Sequence, residues 1–320
     1  MKCWRIFILL IIYSCTAKVQ VSFIKDYHSY KSDTPILVTV PFLNNFYCLK
    51  YNGQVITINK KTNEEDLNYH DNSKSIALNN IYLKSDTLIG TNKTDTYYLT
   101  QGNNWTFLRK GIQVQPVYED NDYIIMSTCS GEWGGSIYLQ NKSTKHIYTC
   151  NSTCTLNIIR AGTKYIVNAS LPHLSGFTNV FEINDPTKLK SYNIDSLKKV
   201  AKYNQRKHRI GYVGENESRS RQGTIQLIDS IGILSLASFV YNSQIFYLVS
   251  NNHGKTFITT IRNGKFATLD TLIDKDIWSY YPSCKKYDET TIYSFSNSTT
   301  SGFVAIDADK LRVYSFDQKL

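Results

Sequence analysis

Short apolar runs separated by turn residues recur along almost the whole chain, and this spacing limits the fold more than any other feature. Ile36–Val40, Asn45–Lys50, Val55–Ile58, Asn80–Leu83, Thr96–Leu99, Tyr123–Ser127, Ser136–Leu139, Tyr165–Val167, Phe177–Ile183, Thr224–Ile228 and Phe303–Ile306 are such runs. Their repeat of roughly 8–15 residues is that of an all-β sandwich, barrel or propeller. The residues inside the runs agree, because 24 tyrosines, 14 phenylalanines and many Val, Ile and Thr suit a pleated, half-buried surface. Tight-turn pairs, Asn52-Gly53, His253-Gly254 and Asn263-Gly264, stand between them.

A degenerate internal repeat selects among these folds. Ser250–Phe257 reads S-N-N-H-G-K-T-F between the apolar runs Ile245–Val249 and Phe257–Ile261. Thr100–Phe107, T-Q-G-N-N-W-T-F, and Ser127–Ser136, S-T-C-S-G-E-W-G-G-S, also follow apolar strands with a Gly/Asn turn and an aromatic. Units of about 40–50 residues with four strands each would give around six blades, so the expected architecture is an all-β propeller. A β-sandwich or two smaller β-domains is the alternative.

The Ser250–Phe257 run resembles the Asp-box (BNR) hairpin of β-propellers, S-x-D-x-G-x-T-W, with Asn252 in the Asp position and Phe257 in the Trp position. An Asx side chain there bonds backbone N–H groups of its own turn, and Gly254 supplies positive φ. The closing aromatic restarts the next strand and is expected to pack between blades. The resemblance covers about 25 residues in all and implies a fold without an activity. Sialidases of this kind carry an R-I-P arginine near the N-terminus; no R-I-P occurs here, and no arginine lies between Arg5 and Arg109.

The N-terminus reads as an export signal. Lys2 and Arg5 precede the apolar Ile6–Tyr13, too short to span a bilayer. Cleavage after Ala17 gives a free chain. Cleavage before Cys15, in a lipobox-like Ile12-Tyr13-Ser14-Cys15, gives a lipid-anchored one. Residues 18–320 are then expected to form one propeller domain, periplasmic, outer-membrane-anchored or extracellular, touching a membrane only through a lipid at Cys15. The net charge of +10 falls to +8 without Lys2 and Arg5. The remaining basic residues are mostly scattered, as on a solvated surface, and export argues against a nucleic-acid partner.

Seven cysteines include Cys150 and Cys154 in C-N-S-T-C, close enough for a local disulfide or for two unlinked thiols. Without a C-x-x-C pair or spaced histidines, no metal site and no cofactor is expected. Seven N-x-S/T sequons, Asn168 among them, arise readily in a chain this rich in Asn, Ser and Thr.

Residues near 186–221 break the strand pattern. Asp185-Pro186 opens a turn, Asp195 or Ser196 suits the cap of a short helix through Tyr203, and a basic run with Arg206 and Arg209 follows. This is expected to be an inter-blade insertion, and such loops often carry binding.

Cys129–Gly135, C-S-G-E-W-G-G, departs most from the repeat. It can present Glu132 and Trp133 together, an aromatic to stack on a sugar ring and a carboxylate to accept its hydroxyls, or it can be a bulge with Trp133 packed between blades. His173, in L-P-H-L-S-G-F, is the other candidate. The expected role is a non-catalytic binding or scaffold protein for a glycan or a protein partner, with Glu132, Trp133, His173, Arg206 and Arg209 as binding residues. The rival is a glycan-active hydrolase or lyase in which Trp133 desolvates Glu132 and raises its pKa, with His173 beside it.

Overall fold

The computed structural model describes residues 22–173, 175–192, 218–251 and 254–318. The signal segment, Cys15, the capped helix after Asp195, Arg206, Arg209, Asn252 and His253 lie outside the described residues. Among the described residues no helix is long and apolar enough to cross a membrane.

Strand β1 (Ile24–Ser32) is the first element. Blade 1 holds β2 (Ile36–Phe42), β3 (Asn45–Lys50) and β4 (Val55–Asn59). A one-turn helix, α1 (Ser73–Ile76), leads to blade 2, with β5 (Asn80–Lys84), β6 (Thr87–Thr91), β7 (Asp95–Leu99) and β8 (Trp105–Lys110). Blade 3 holds β9 (Tyr118–Glu119), β10 (Tyr123–Ser127), β11 (Ser136–Asn141) and β12 (Ile147–Asn151). Blade 4 begins with β13 (Thr155–Ala161), β14 (Lys164–Leu171) and β15 (Phe177–Ile183). The chain then returns to blade 3, where β16 (Lys190–Tyr192) pairs with β12 as an outermost strand. It completes blade 4 with β17 (Thr224–Ile231). Blade 5 holds β18 (Leu234–Tyr241), β19 (Gln244–Ser250), β20 (Thr256–Arg262) and β21 (Lys265–Ile273). Blade 6 holds β22 (Ser283–Tyr287), β23 (Thr290–Ser296), β24 (Thr300–Asp307) and β25 (Lys310–Gln318).

Six sheets of consecutive antiparallel strands therefore follow one another along the chain. The first strands of blades 2 to 6 line one central cavity, and successive blades pack face to face. Ile125, Leu139 and Cys150 of blade 3 share a core with Ile158, Tyr165 and Phe181 of blade 4. Phe46 and Ile58 of blade 1 share one with Phe303 and Phe316 of blade 6. This is a six-bladed β-propeller. The first and last described strands meet in blade 6, where β1 adds to β25 as a parallel fifth strand from Ile24↔Lys310 to Ser32↔Gln318.

Strand number departs from an even four per blade. Among the described residues blade 1 has three strands, blades 3 and 6 have five, and the others four. The free edge of β4 is covered by the segment after it, with Asn59 N–H donating to the Glu64 carbonyl and Asp66 N–H to that of Thr57. The internal repeat is also partly out of step. Ser250–Phe257 and Ser127–Ser136 both connect second to third strands, whereas Thr100–Phe107 connects the third to the fourth, on the opposite end of its blade. Phe257 is half-buried, and its neighbour Ile258 is the residue in the blade 5–6 core.

Innermost strands β2, β13 and β18 each carry an irregularity near their start, at Ile36/Val38, Thr155/Asn157 and Ser235/Ala237. A hydroxyl from the third strand of the preceding blade meets two of these. Ser301 Oγ accepts from Ile36 N–H at 2.9 Å, and Thr178 Oγ1 accepts from Ser235 N–H at 2.8 Å. Thr178 also donates to the Ile233 carbonyl at 2.7 Å. Thr178→Val keeps the shape and strands a buried N–H, which costs about 1–3 kcal/mol. Chemical denaturation should show that loss; a midpoint equal to wild type would refute the hydroxyl's role as a blade clasp.

Candidate functional site

Strand alternation fixes which loops share a face. Connections from second to third strands, and crossovers from one blade to the next, lie at one end of the ring. The 128–135 loop of blade 3 and the 172–176 loop of blade 4 are both second-to-third connections. They sit side by side.

Hydrogen bonds close the base of the first loop. Thr128 N–H donates to the Ser136 carbonyl at 2.9 Å, and Ser136 N–H to Thr128 Oγ1 at 3.0 Å. Residues Gly131–Trp133 form one 3₁₀ turn, with Trp133 N–H on the Ser130 carbonyl. Gly135 is required by space, since an added Cβ would lie 2.5 Å from the Thr128 carbonyl oxygen and 2.7 Å from that of Ser152. That close approach lets the Gly135 carbonyl accept from Ser152 N–H at 3.0 Å and Asn151 Nδ2 at 3.2 Å.

The loop is then tied to blade 4. Cys129 and Cys154 form a disulfide, with Cα atoms 4.3 Å apart. This corrects the local pairing of Cys150 with Cys154. Cys150 lies on β12 with its thiol fully buried in the blade 3–4 core, where burial pushes its pKa up to about 12. Cys154 sits beyond the strand at φ 54°, in the crossover to β13. Its carbonyl accepts from Ser170 N–H at 3.2 Å, three residues before His173. The bridge thus joins the two loops at their roots.

Glu132 and His173 meet across them. Glu132 Oε2 lies 3.2 Å from His173 Nδ1, with both side chains about half exposed, 50% and 53%. Gly176, at φ 81°, turns the His173 loop, its N–H donating to the His173 carbonyl at 2.9 Å. Trp133 is 85% exposed. It does not pack between blades, and the Glu132 side chain beside it is itself half exposed. Ile231, paired with Phe177 at the foot of the His173 loop, is 80% exposed and extends the apolar surface.

The insertion reaches the same corner at its described end. Ser218 is buried, its carbonyl accepting from Ser136 Oγ at 3.2 Å and Asn151 Nδ2 at 3.4 Å, which leaves Arg219 exposed beside blade 3. Among the described residues no His, Cys, Asp and Glu group is arranged to hold a metal. The sequon asparagine Asn168 is fully buried, its Nδ2 donating to Asn157 Oδ1 at 3.2 Å, so it is closed to glycosylation in the folded chain.

The corner is an open polar pair beside a large exposed ring, on a rigid, cross-linked base. It suits binding, with a donor–acceptor pair for hydroxyls and an indole face for stacking. Among the described residues nothing there excludes water, as a carboxyl acting as general acid requires.

No protein-family model matches the chain, and no curated protein sequence matches it. Among solved structures, the chain is similar to the computationally designed Ika8 protein at 8% identity and a TM-score of 0.33, over 92% of this chain and 91% of that one. It is also similar to the β-propeller domain of the Trilobed protease from Pyrococcus furiosus at 8% identity and a TM-score of 0.35, over 86% and 83%. The propeller assignment rests on the six sheets themselves.

Proposed function

We propose that this propeller is an exported, non-catalytic binding protein whose Glu132–Trp133–His173 corner takes a glycan. The observation that carries the reading is the exposed Trp133 ring next to a carboxylate–imidazole pair at 3.2 Å. A saccharide offers an apolar C–H face to an indole and hydroxyls to the pair. The Cys129–Cys154 bridge supports an oxidising compartment, in keeping with the signal-like start of the chain. The Asp-box likeness of Ser250–Phe257 supports no choice of ligand.

A glycan array followed by titration tests this. Trp133→Ala should weaken the best ligand at least about tenfold, as loss of a central aromatic anchor does. Glu132→Gln should weaken it less, by about 1 kcal/mol, because the amide keeps one acceptor. An array without a hit, or a Trp133→Ala titration identical to wild type, rejects the glycan reading.

A second reading, a glycan-active hydrolase or lyase, is favoured only by the Glu132–His173 pairing. It predicts turnover of the bound glycan that vanishes in Glu132→Gln. Intact mass of the exported protein separates a lipidated Cys15 from a chain starting at Lys18.

A further inference from the structure

Blades 1 and 2, 3 and 4, 4 and 5, 5 and 6, and 6 and 1 each share a hydrophobic core. Blades 2 and 3 share none among the described residues. Apolar side chains stay exposed on β8, the outer strand of blade 2, and on the crossover that leaves it for blade 3. Every residue from 106 to 114 is exposed. Phe107 is 53% exposed, Leu108 49%, Ile112 47% and Val114 52%.

The outer edge of β8 is also unfilled, since β8 pairs with β7 alone among the described residues. Asn72 occupies that edge at one point. Its Nδ2 donates to the Trp105 carbonyl at 3.0 Å, and its Oδ1 accepts from Trp105 N–H at 2.7 Å. These are the two bonds that one residue of an added strand would make. Strand alternation turns the N–H and C=O of Phe107 to the same side, where no partner meets them among the described residues. Gly111 N–H donates inward to the Thr94 carbonyl at 2.7 Å, so the groups of Lys110 before it point outward too.

The two faces of this edge differ. Phe107 lies against Tyr97, ring centroids 6.1 Å apart, on the face turned to blade 1. Arg109, opposite Thr96, lies on the other face, with Leu108 between them as the extra residue of a bulge. Arg109 Nη2 and Lys84 Nζ both donate to Gln113 Oε1, at 2.9 Å and 3.0 Å. Two cations thus converge on one neutral oxygen, and neither has a carboxylate partner among the described residues.

We propose that the free edge of β8 docks an extended peptide of alternating apolar and acidic residues from a partner protein, added to blade 2 as a fifth strand. The peptide backbone pairs with Phe107 and Lys110, as strand addition to an open edge does. Its apolar side chains cover Phe107 on one face. Its carboxylates reach Arg109 and Lys84 on the other, with charge-assisted hydrogen bonds replacing the shared Gln113 oxygen. A second copy of this chain fits poorly. Pairing β8 with β8 would set Arg109 and Lys110 beside their own equivalents, on a chain of net charge +10. The edge shares no residue with the glycan corner.

Fluorescence anisotropy tests this with a labelled peptide of about seven residues alternating valine and glutamate, long enough to cover the edge. It should bind the purified protein saturably. The same peptide with lysine for glutamate, or with N-methyl groups on alternate amides, should bind at least about tenfold more weakly. Arg109→Glu should weaken the glutamate peptide at least about tenfold and strengthen the lysine peptide. Trp133→Ala should leave both unchanged. Absence of saturable binding, equal binding of the lysine or N-methyl peptide, or an Arg109→Glu titration identical to wild type would each overturn the proposal. So would sedimentation as a dimer that Phe107→Asp separates, which would give the edge to a second copy. Melting curves of the variants check that the ring is folded.

Discussion

Removing the Cys129–Cys154 bridge should lower stability by about 3–4 kcal/mol and loosen the glycan corner. The magnitude follows from loop length, since the bridge closes 25 residues of sequence and forbids the unfolded chain its open arrangements. For a ring of this size that is a melting drop of roughly 5–6 °C. The double variant Cys129→Ser/Cys154→Ser is the right comparison, because either single change leaves a reactive thiol beside a buried neighbour. The functional consequence is separate from stability. Glu132 and His173 belong to different blades, and their 3.2 Å contact depends on two loops that the bridge roots together. At a temperature where both proteins are folded, the variant should bind the glycan more weakly than wild type and respond less to Glu132→Gln. Peptide mapping of the unreduced protein should find Cys129 linked to Cys154, with Cys48, Cys150 and Cys284 free. A peptide joining Cys150 to Cys154 would refute the assignment. A variant that melts with wild type would show that inter-blade packing alone fixes the two loops.

The corner was legible in outline because it depends on loops that break a pattern. Cys129–Gly135 stood out from the strand repeat by its glycines, and L-P-H-L-S-G-F by its Pro, His and Gly. Two second-to-third connections of neighbouring blades must share a face, so their approach follows once the strands are counted. The disulfide partner was not legible in this way. Cys150 is nearer to Cys154 in sequence than Cys129 is, and only strand direction shows that its side chain points into the core. Partner choice for short strands escaped for a similar reason. Nothing in K-S-Y says that β16 pairs with blade 3 and not with blade 4. The segment at β1 alternates weakly, and its parallel addition to β25 is a tertiary choice.

Gly302→Ala should be the most damaging single methyl in the described chain, costing about 3 kcal/mol or more. Gly302 lies on β24 between Phe295 of β23 and Ser315 of β25. An added Cβ would overlap the Tyr314 carbonyl oxygen and lie 3.0 Å from the Phe295 ring, with φ at 157°. Neither obstacle can yield. The Tyr314 carbonyl belongs to a strand paired on both sides, and Phe295 is 1% exposed in the blade 5–6 core. Strand β25 must therefore shift outward, and what it carries shifts too. The Tyr314 ring stacks on Phe303 at 4.4 Å and on His28 of β1 at 4.9 Å. The parallel β1–β25 pairing joins the first and last described strands, so it should loosen first. Hydrogen exchange is expected to show β1 amides losing protection before those of blades 3 and 4, along with a melting drop of roughly 5 °C or more. Gly102→Ala is the control: its added Cβ finds nothing nearer than 3.9 Å, and the change should be neutral or slightly stabilising. If Gly302→Ala melts with Gly102→Ala, the β24–β25 approach is looser than described; if protection falls first in blades 3 and 4, β1 is not where the ring gives way.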